Sequence, residues 1–553
     1  MVQSNPAESQ PFALRGWGVR VWNNYDLFDA EVRKAAREAG RYHINLLDLH
    51  DGTVPPGIGW VELFAQYRHV QALRDKSSLT YKGTVIPERD RETYRQKFRE
   101  LCTFVKSQGL RIHVWYHVLR DLPEEWLIAE PTISRLEGRR LWQVIGSMLE
   151  DLFTGVPEID ALVVTAGGTT AYPTRDQSSV TPGERLRAVY QCVYEACRRH
   201  RKQFIIRETG DTPSESDTFL YAIGPLPPEI QIMVKNVQKD WCHLTAPVNP
   251  TLQRLGGKTV LLETDLYGEH WGRSALPLAR PGYVFELVRS WLPLKAAGAV
   301  GRIMVQEEED GVETSIFSSP GTVNLHAFGK VLAAPGTTFQ QAGTWLPEFD
   351  ELDRGLWYEW AAQFGNKNGN VSPCLVSALE TSPLICLYTL YLAGAYFQDR
   401  SFFPGIETFE KSIWPTFVRK SKHIDLDVLL WEKDEAVRIA ERSLEDLQRA
   451  APTMDPQAVE VFTQFFEHAK DIAAAFRSLV ELCAGRVKPE TLRTTCRDAN
   501  DLATRIEILR GPGFYGRLPE RLRELSAYVQ DHTTERSERA DDAPPAEQEP
   551  TGP

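Results

Sequence analysis

Three carboxylates lie close together in one stretch of the chain, KTVLLETDLYGEHWG at residues 258–272. The stretch opens as a leucine and β-branched run, which predicts a buried strand, and then delivers Glu263, Asp265 and Glu269 among aromatic rings. A buried carboxylate without a partner costs several kcal/mol. These residues could be loop charges that face water, but neighbouring carboxyl groups can also donate and accept protons in catalysis. We therefore expect an acid–base site where this strand ends.

Polar side chains follow the other predicted strands in the same way. The candidates for catalysis are four carboxylates: Glu263, Glu269, Glu307 and Glu308. The candidates for substrate binding are Trp22, Asp48, His50, His117, Arg207, Glu208, Lys235, Asp265 and Tyr267. Because parallel α/β folds gather such groups at the carboxyl ends of their strands, we expect all of them to line one basin.

Eight predicted strands, alternating with helices over residues 12–335, position these side chains. The strands are predicted at residues 14–22, 43–49, 110–118, 161–165, 204–209, 230–236, 259–262 and 299–306. Alternation over this length predicts a (β/α)8 barrel. In the third strand, a period of two places Trp115 and His117 inside the barrel and Tyr116 on the side that faces the helices.

The segments between the strands differ in how clearly they predict structure. A helix is predicted from Glu31 to Gly40 and another from Pro213 to Ile223. Residues 51–90, rich in glycine, proline and charge, predict a long loop that acts as a lid or a binding loop.

The strand pattern ends with the barrel. Residues 336–530 predict a helical C-terminal domain, with helices at 382–397, 427–450 and 455–484, and this domain could mediate a homodimer. Residues 1–11 are expected to be a flexible leader. Residues 531–553, which are poor in apolar side chains, are expected to be a disordered tail.

Composition excludes several classes of function. The net charge is −12, whereas a nucleic-acid-binding protein needs a basic face. No apolar run reaches the roughly 18 residues of a membrane span, and the N-terminus has neither the basic nor the apolar region of a signal peptide. The eight scattered cysteines form no CxxC pair, which indicates reduced thiols. We expect a cytoplasmic protein.

Three kinds of function remain for the residues at the strand ends. Phosphate-loop, dinucleotide and HExxH motifs do not occur, so neither a cofactor nor a metal is expected. Carboxylates beside basic and aromatic side chains favour a glycoside hydrolase that acts on a small oligosaccharide. One carboxyl group would protonate the leaving oxygen, and a second would activate water or attack the sugar. The alternatives are a metal-dependent lyase or isomerase built on Asp48, His50 and His117, and a carbohydrate-binding barrel without catalysis.

Three sequence motifs between residues 228 and 350 carry a resemblance to a known protein family. They are Val234-Lys235-Asn236, the segment from Leu262-Glu263 to Glu269-His270-Trp271-Gly272, and NLHAFGKVLAAP at residues 324–335 with Trp345. Together they resemble motifs of the α-glucuronidases of glycoside hydrolase family 67. The resemblance implies an inverting hydrolase of uronic-acid-containing sugars, with a helical domain after its barrel. It also implies acidic roles for Glu263 and Glu269 and a site role for Lys235.

The chain departs from that family at three points. The small β-domain that precedes the family's barrel is not expected here. Leu244-Thr245-Ala246-Pro247 stands where the family has an acidic Arg-Glu-Pro element, and Glu307–Asp310 replaces an asparagine-glycine stretch. The identity of the acid and of the base therefore stays open among Glu263, Glu269 and the Glu307–Asp310 group.

Overall fold

The computed structural model of the chain is built on a closed barrel of eight parallel strands. Each barrel strand pairs with the next one along the chain, and the eighth closes the ring on the first. The strands are β1 (Leu14–Val21), β2 (Leu46–Leu49), β3 (Arg111–His117), β4 (Ala161–Thr165), β5 (Gln203–Arg207), β6 (Gln231–Lys235), β7 (Val260–Asp265) and β8 (Gly298–Gln306). The predicted (β/α)8 barrel is confirmed.

The structure describes residues 12–334 apart from 74–75, 131–138, 166–180, 209–212, 237–248, 267–276, 295 and 307–314. Beyond them it describes 355–362, 372–392, 395–396, 425–484 and parts of 414–418 and 494–528. The expected leader at residues 1–11, the tail at residues 531–553 and the domain boundary at residues 335–336 lie outside these ranges.

Helices alternate with the strands around the outside of the barrel. They are α1 (Tyr25–Glu38), α2 (Trp60–Phe64), α3 (Glu88–Ser107), α4 (Glu124–Ala129), α5 (Arg139–Gly155), α6 (Pro182–Arg199), α7 (Pro213–Ile223), α8 (Pro281–Arg289) and α9 (Thr322–Ala333). In the described part of the connection between β6 and β7, a 3-10 turn at Pro250–Arg254 is present. Helix α7 has the bounds that the sequence predicts.

Helix α1 begins well before its predicted start at Glu31. Asn24 caps the helix, because its side-chain oxygen accepts a hydrogen bond from the Leu27 amide at 3.1 Å. The helix ends at Glu38 rather than Gly40, and a 3-10 turn follows it. The sequence carries the signal for this start, an asparagine cap with Asp26 in the first turn.

Residues 51–90 are not the long loop that their composition predicts. They contain α2 and a two-stranded hairpin, Ser78–Tyr81 paired with Thr84–Pro87. Both turn residues of the hairpin, Lys82 and Gly83, have positive φ angles of 47° and 77°. This backbone conformation matches the right-handed twist of the strands, so the turn closes a tight hairpin.

The barrel interior divides into an apolar floor and a charged layer above it. The floor is an apolar cluster formed by Leu14, Leu46, Trp115, Ala161, Val163, Ile205, Met233, Leu261 and Val300. Strand β1 contributes glycines to this interior: a Cβ atom on Gly16 would lie 2.9 Å from the Leu46 side chain, and one on Gly18 would lie 2.1 Å from Arg302 Nη1. The missing side chains of β1 therefore leave the space that its neighbours fill. Tyr116 packs with the outer core, as predicted from the alternation.

The described C-terminal residues are mainly helical and have an apolar core of their own. The helices are a segment at 355–362, α10 (Pro373–Glu380), α11 (Ser382–Leu390), α12 (Leu426–Ala450) and α13 (Pro456–Cys483). Helix α11 is shorter than the predicted 382–397, because two short paired strands, Tyr391–Leu392 and Ala395–Tyr396, follow it. The apolar core of these C-terminal helices contacts the barrel at Trp360, whose Nε1 donates a hydrogen bond to Thr322 Oγ1 at 3.1 Å. Within the described ranges, every helix is too short or too polar to cross a membrane.

Replacing Gly18 by alanine is expected to destabilise the barrel. The added methyl group would overlap Arg302, which is buried and ion-paired on two sides and so has no room to move. We expect the free energy of unfolding to fall by about 1–3 kcal/mol, measured by chemical denaturation. Gly40→Ala is the matched control, because a methyl group there meets no atom within 4 Å. Equal losses in the two variants would contradict the prediction.

Candidate active site at the barrel mouth

Four buried charges of alternating sign cross the interior of the barrel above its apolar floor. Arg302 of β8 lies between two carboxylates, with Nη1 2.9 Å from Asp48 Oδ2 and Nε 2.7 Å from Glu263 Oε1. On its other side Glu263 accepts two bonds from Arg207, from Nε at 2.5 Å and from Nη2 at 2.9 Å. We call these four residues, Asp48, Arg302, Glu263 and Arg207, the charge chain. Its two anions and two cations balance, which a buried set of charges requires.

Trp115 of β3 holds the charge chain from below. Its Nε1 donates to Asp48, with both carboxylate oxygens at 2.7 Å. The guanidinium carbons of Arg207 and Arg302 lie 4.6 Å and 4.4 Å from the centre of its ring. A desolvated cation over an indole ring gains about 2 kcal/mol. The ring therefore both orients the anion and stabilises the cations.

Glu263 is ionised throughout the physiological pH range. Burial would raise the pKa of Glu263, but the guanidiniums of Arg207 and Arg302 outweigh burial and hold the pKa at about 2. For Asp48 the balance is opposite, because burial raises its pKa against the opposing effects of Arg302 and Trp115. A carboxylate with a pKa of about 2 does not carry the proton that a general acid must donate. The geometry thus favours Glu263 as an electrostatic anchor.

Lys235 and Asp265 are the predicted residues that lie next to this anchor. Lys235 is buried on β6, directly opposite Glu263 in the strand register, and its charge also lowers the pKa of Glu263. Asp265 is two residues farther along β7 and is half-buried. Because side chains alternate along a strand, it follows Glu263 on the same face, nearer the mouth.

A second group of predicted residues lies at the ends of β2 and β3. His117 Nδ1 is 2.6 Å from Asp51 Oδ1, and the His117 amide donates to Asp51 Oδ2 at 2.8 Å. His50 Nδ1 is 2.9 Å from the Asp51 carbonyl oxygen. Burial lowers the pKa of His117 to about 4 against the effect of Asp51, so this imidazole is neutral at pH 7. Arg120 Nη2 completes the group at 3.3 Å from Asp51 Oδ1.

Trp22 and Glu208 were predicted to bind substrate, and in the structure both contact other side chains of the protein. The Trp22 ring is 7% exposed, and Lys82 Nζ and the Arg120 guanidinium carbon lie 4.2 Å and 4.5 Å from its centre. Glu208 accepts hydrogen bonds from Ser216 Oγ and Asn249 Nδ2, each at 3.3 Å. Both contacts tie the strand ends to neighbouring segments. Their roles in substrate binding stay predictions.

Four of the predicted site residues lie outside the described ranges: Tyr267, Glu269, Glu307 and Glu308. Of the nine described ones, seven fall into two groups: the charge chain with Lys235 and Asp265, and the group around Asp51. Trp22 and Glu208 have the separate neighbours given above. The residues that the prediction did not include are Asp51, Trp115, Arg120 and Arg302. Arg302 was detectable in principle, because an arginine inside the apolar run AVGRIMVQ must be paired if that strand is buried.

Comparison with known proteins relates the fold of the chain to other folds and assigns no family. No family model and no curated protein match it. A GH138 enzyme targeting pectin rhamnogalacturonan II has a similar structure, with a TM-score of 0.59 and 10% identity over 97% of this chain and 85% of that chain. Weaker similarity exists to a Thermobaculum terrenum O-GlcNAc hydrolase mutant, with a TM-score of 0.41 and 11% identity over 96% of both chains. Both of these proteins are glycoside hydrolases, and the likeness to the GH138 enzyme, at 10% identity, shows the fold alone.

Replacing Glu263 by glutamine is expected to cost about 3 kcal/mol of stability at neutral pH, because it leaves two buried arginines without their shared anion. The native pKa of about 2 lies below the ordinary value of 4.5. The anion therefore contributes its full stability above pH 4.5, and this contribution is lost as the pH falls towards 2. Chemical denaturation of both proteins over this pH range should show their difference shrinking on acidification.

Asp265→Asn is the control for that measurement. Asp265 is on the same strand but is half-buried and outside the charge chain, so its variant should stay within about 1 kcal/mol of the wild type. A Glu263→Gln variant as stable as Asp265→Asn would show that the charge chain does not stabilise the fold.

Proposed function

We propose that the chain is a glycoside hydrolase that acts on a small oligosaccharide containing a uronic acid. The observation that carries the proposal is the concentration of cations beside the acidic strand β7. Arg207 binds Glu263 from β5, and Lys235 stands opposite the same carboxylate on β6. The similar fold of the GH138 enzyme supports the reaction class, and the family 67 resemblance supports the uronic acid.

In this proposal, Glu263 positions the site and does not transfer protons. Its bound arginines keep it ionised, so the proton donor must come from another carboxyl group. Glu269 is our candidate for the general acid, because it follows the residues of β7 closely in the sequence. The base would come from Glu307 or Glu308 after β8, or from Asp265. A pair of carboxyl groups on the two sides of the sugar is what glycosidic cleavage requires.

The cations have a separate role from the carboxylates. The ends of β5 and β6 carry Arg207 and Lys235, both of which are buried and lie near the mouth. The uronate carboxylate of a substrate would approach Lys235, whose ammonium group can bind an anion as a point charge.

Glu269→Gln and Asp265→Asn are expected to lower kcat by a factor of about 100 or more if each transfers a proton. The assay measures reducing sugar or aryl release across a panel of neutral and uronic-acid glycosides. Asp217→Asn is the matched control, because Asp217 lies on α7, where its side chain is 62% exposed. Undiminished turnover in both site variants would remove these assignments, and the absence of hydrolysis across the panel would remove the reaction class.

We also propose that the chain forms a homodimer through one face of α12. Val428 and Trp431, at 48% and 49% exposed, share this face, and Leu384 of α11, at 39%, lines the same groove as Trp431. The same face continues with Glu435, which pairs with Arg438 at 3.0 Å and with Arg442 at 2.9 Å. Apolar side chains followed by charges of both signs make the face complementary to a second copy of itself. A groove of about 530 Å³ accompanies it.

Trp431→Glu is therefore expected to dissociate the dimer, because a carboxylate would be buried in the apolar part of the face. Light scattering during gel filtration measures the change in mass. Val85→Glu is the control, because Val85 is 61% exposed on the hairpin, away from α12. A wild-type protein that is monomeric over the accessible concentrations would refute the dimer.

A further inference from the structure

The group around Asp51 has a composition that the hydrolase proposal does not use. His50, Asp51 and His117 are all buried, and one ligand atom from each lies within 4.8 Å of the others. Within the described part of the chain, no other set of three histidine, cysteine or carboxylate side chains is this compact. The three residues come from the ends of two adjacent strands, so the barrel itself fixes their spacing.

Asp51 sets the tautomer of both imidazole rings. A backbone carbonyl can only accept, so the 2.9 Å contact between His50 Nδ1 and the Asp51 oxygen places the proton of His50 on Nδ1. The Asp51 carboxylate likewise accepts from His117 Nδ1 at 2.6 Å. Each ring is thus left with a lone pair on Nε2. This is the arrangement in which a carboxylate or a carbonyl orients a histidine that binds a metal.

The Nε2 atom of His50 has no hydrogen-bond partner among the described residues, although the residue is only 1% exposed. The ring cannot turn to find one, because it packs on Trp115 with the ring centres 4.2 Å apart. His117 is the nearest other ring at 5.1 Å between centres. A buried acceptor that is held in place without a donor is a position that a ligand would satisfy.

We propose that His50 and His117, oriented by Asp51, bind a divalent transition-metal ion of the zinc type at the barrel mouth. The two imidazoles would supply nitrogen ligands, and Asp51 would supply the negative charge. Water or a substrate oxygen would take the remaining positions, as in sites that are open for chemistry.

The surroundings select the class of metal. Arg120 lies 3.3 Å from Asp51, and the Arg20 charge also acts on both histidines. Those cations repel every divalent ion alike, so the discrimination must come from the ligands. Mg²⁺ and Ca²⁺ depend on several carboxylate oxygens, whereas this group has one carboxylate. Imidazole nitrogen favours Zn²⁺, Ni²⁺ or Cu²⁺ instead. The two imidazole ligands therefore determine which class of metal ion the site would bind.

The site lies across the mouth from the acidic strand. In the ring order of the barrel, β2 and β3 are four strands away from β6 and β7. A metal ion there would contact the opposite end of a substrate whose carboxylate meets Lys235. The binding of the ion does not depend on the proposed hydrolase activity and can be tested without turnover.

The test is isothermal titration of the untagged full-length protein with Zn²⁺ and, separately, Mg²⁺ after treatment with a chelator. We expect one Zn²⁺ per chain, a rise in Tm of several degrees, and no response to Mg²⁺. His117→Gln should lose the Zn²⁺ and the shift in Tm. His113→Gln is the matched control and should keep both, because His113 is a buried histidine that points into the same barrel but lies deeper on the same strand.

Two outcomes would overturn the site: no stoichiometric Zn²⁺ in the wild type, or full binding in His117→Gln. If His117→Gln does not fold, the visible spectrum of the Co²⁺-loaded wild type decides, because nitrogen ligation produces bands that aqueous Co²⁺ lacks. Assaying the chelated enzyme on the glycoside panel separates the two proposals. Hydrolysis without metal leaves the binding result intact, and metal binding without hydrolysis removes only the hydrolase.

Discussion

The barrel depends on one buried cation, Arg302, which two carboxylates share. A guanidinium inside an eight-stranded barrel is tolerable only when anions surround it, since breaking such a pair costs about 3–5 kcal/mol. Glu263 comes from β7, which neighbours β8, and Asp48 comes from β2, which lies beyond β1 on the other side, so the pairing requires these strands to be in register at once. Any slip of one strand by a single residue would turn one of these charges to the outer face. The pairing of Arg302 with Asp48 and Glu263 therefore specifies the fold and also forms the charged layer beneath the site.

This arrangement also separates stability from chemistry. Asp48 and Glu263, two of the carboxylates that the sequence suggests for the site, are paired with arginines inside the charge chain. The groups that react with a substrate must lie one layer higher, at the level of Asp265, which is half-buried. A barrel can in this way carry many carboxylates and yet present few of them to a substrate. The layered interior is the reason why counting acidic residues overstates the size of a catalytic site.

The sequence predicted the barrel well because its signals are local and repeated. Short apolar runs alternate with helices, and the period of two in β3 correctly placed Trp115 inside and Tyr116 outside. The site was predicted less completely, since the pairing of Arg302 with Glu263 and of Asp51 with His117 joins residues far apart in the chain. Residue types showed which side chains cost free energy when they are buried. They did not show which of them would neutralise one another, and that decides which carboxylate can hold a proton.

The wall of the mouth formed by β1, β2 and the hairpin is rigid for a separate reason. Gly52 and Gly57 have φ angles of 79° and 93° and lie against the ring of Trp22, where a Cβ atom would come within 2.2 Å and 2.8 Å. Lys82, at the hairpin tip, covers the same ring and reaches Asp121 at 3.4 Å. The segment of nearly forty residues between β2 and α3 is in this way held against the barrel by contacts at the tip of its hairpin. Its conformational entropy is lost when the chain folds, so a ligand that docks on this rim meets a surface already shaped to receive it.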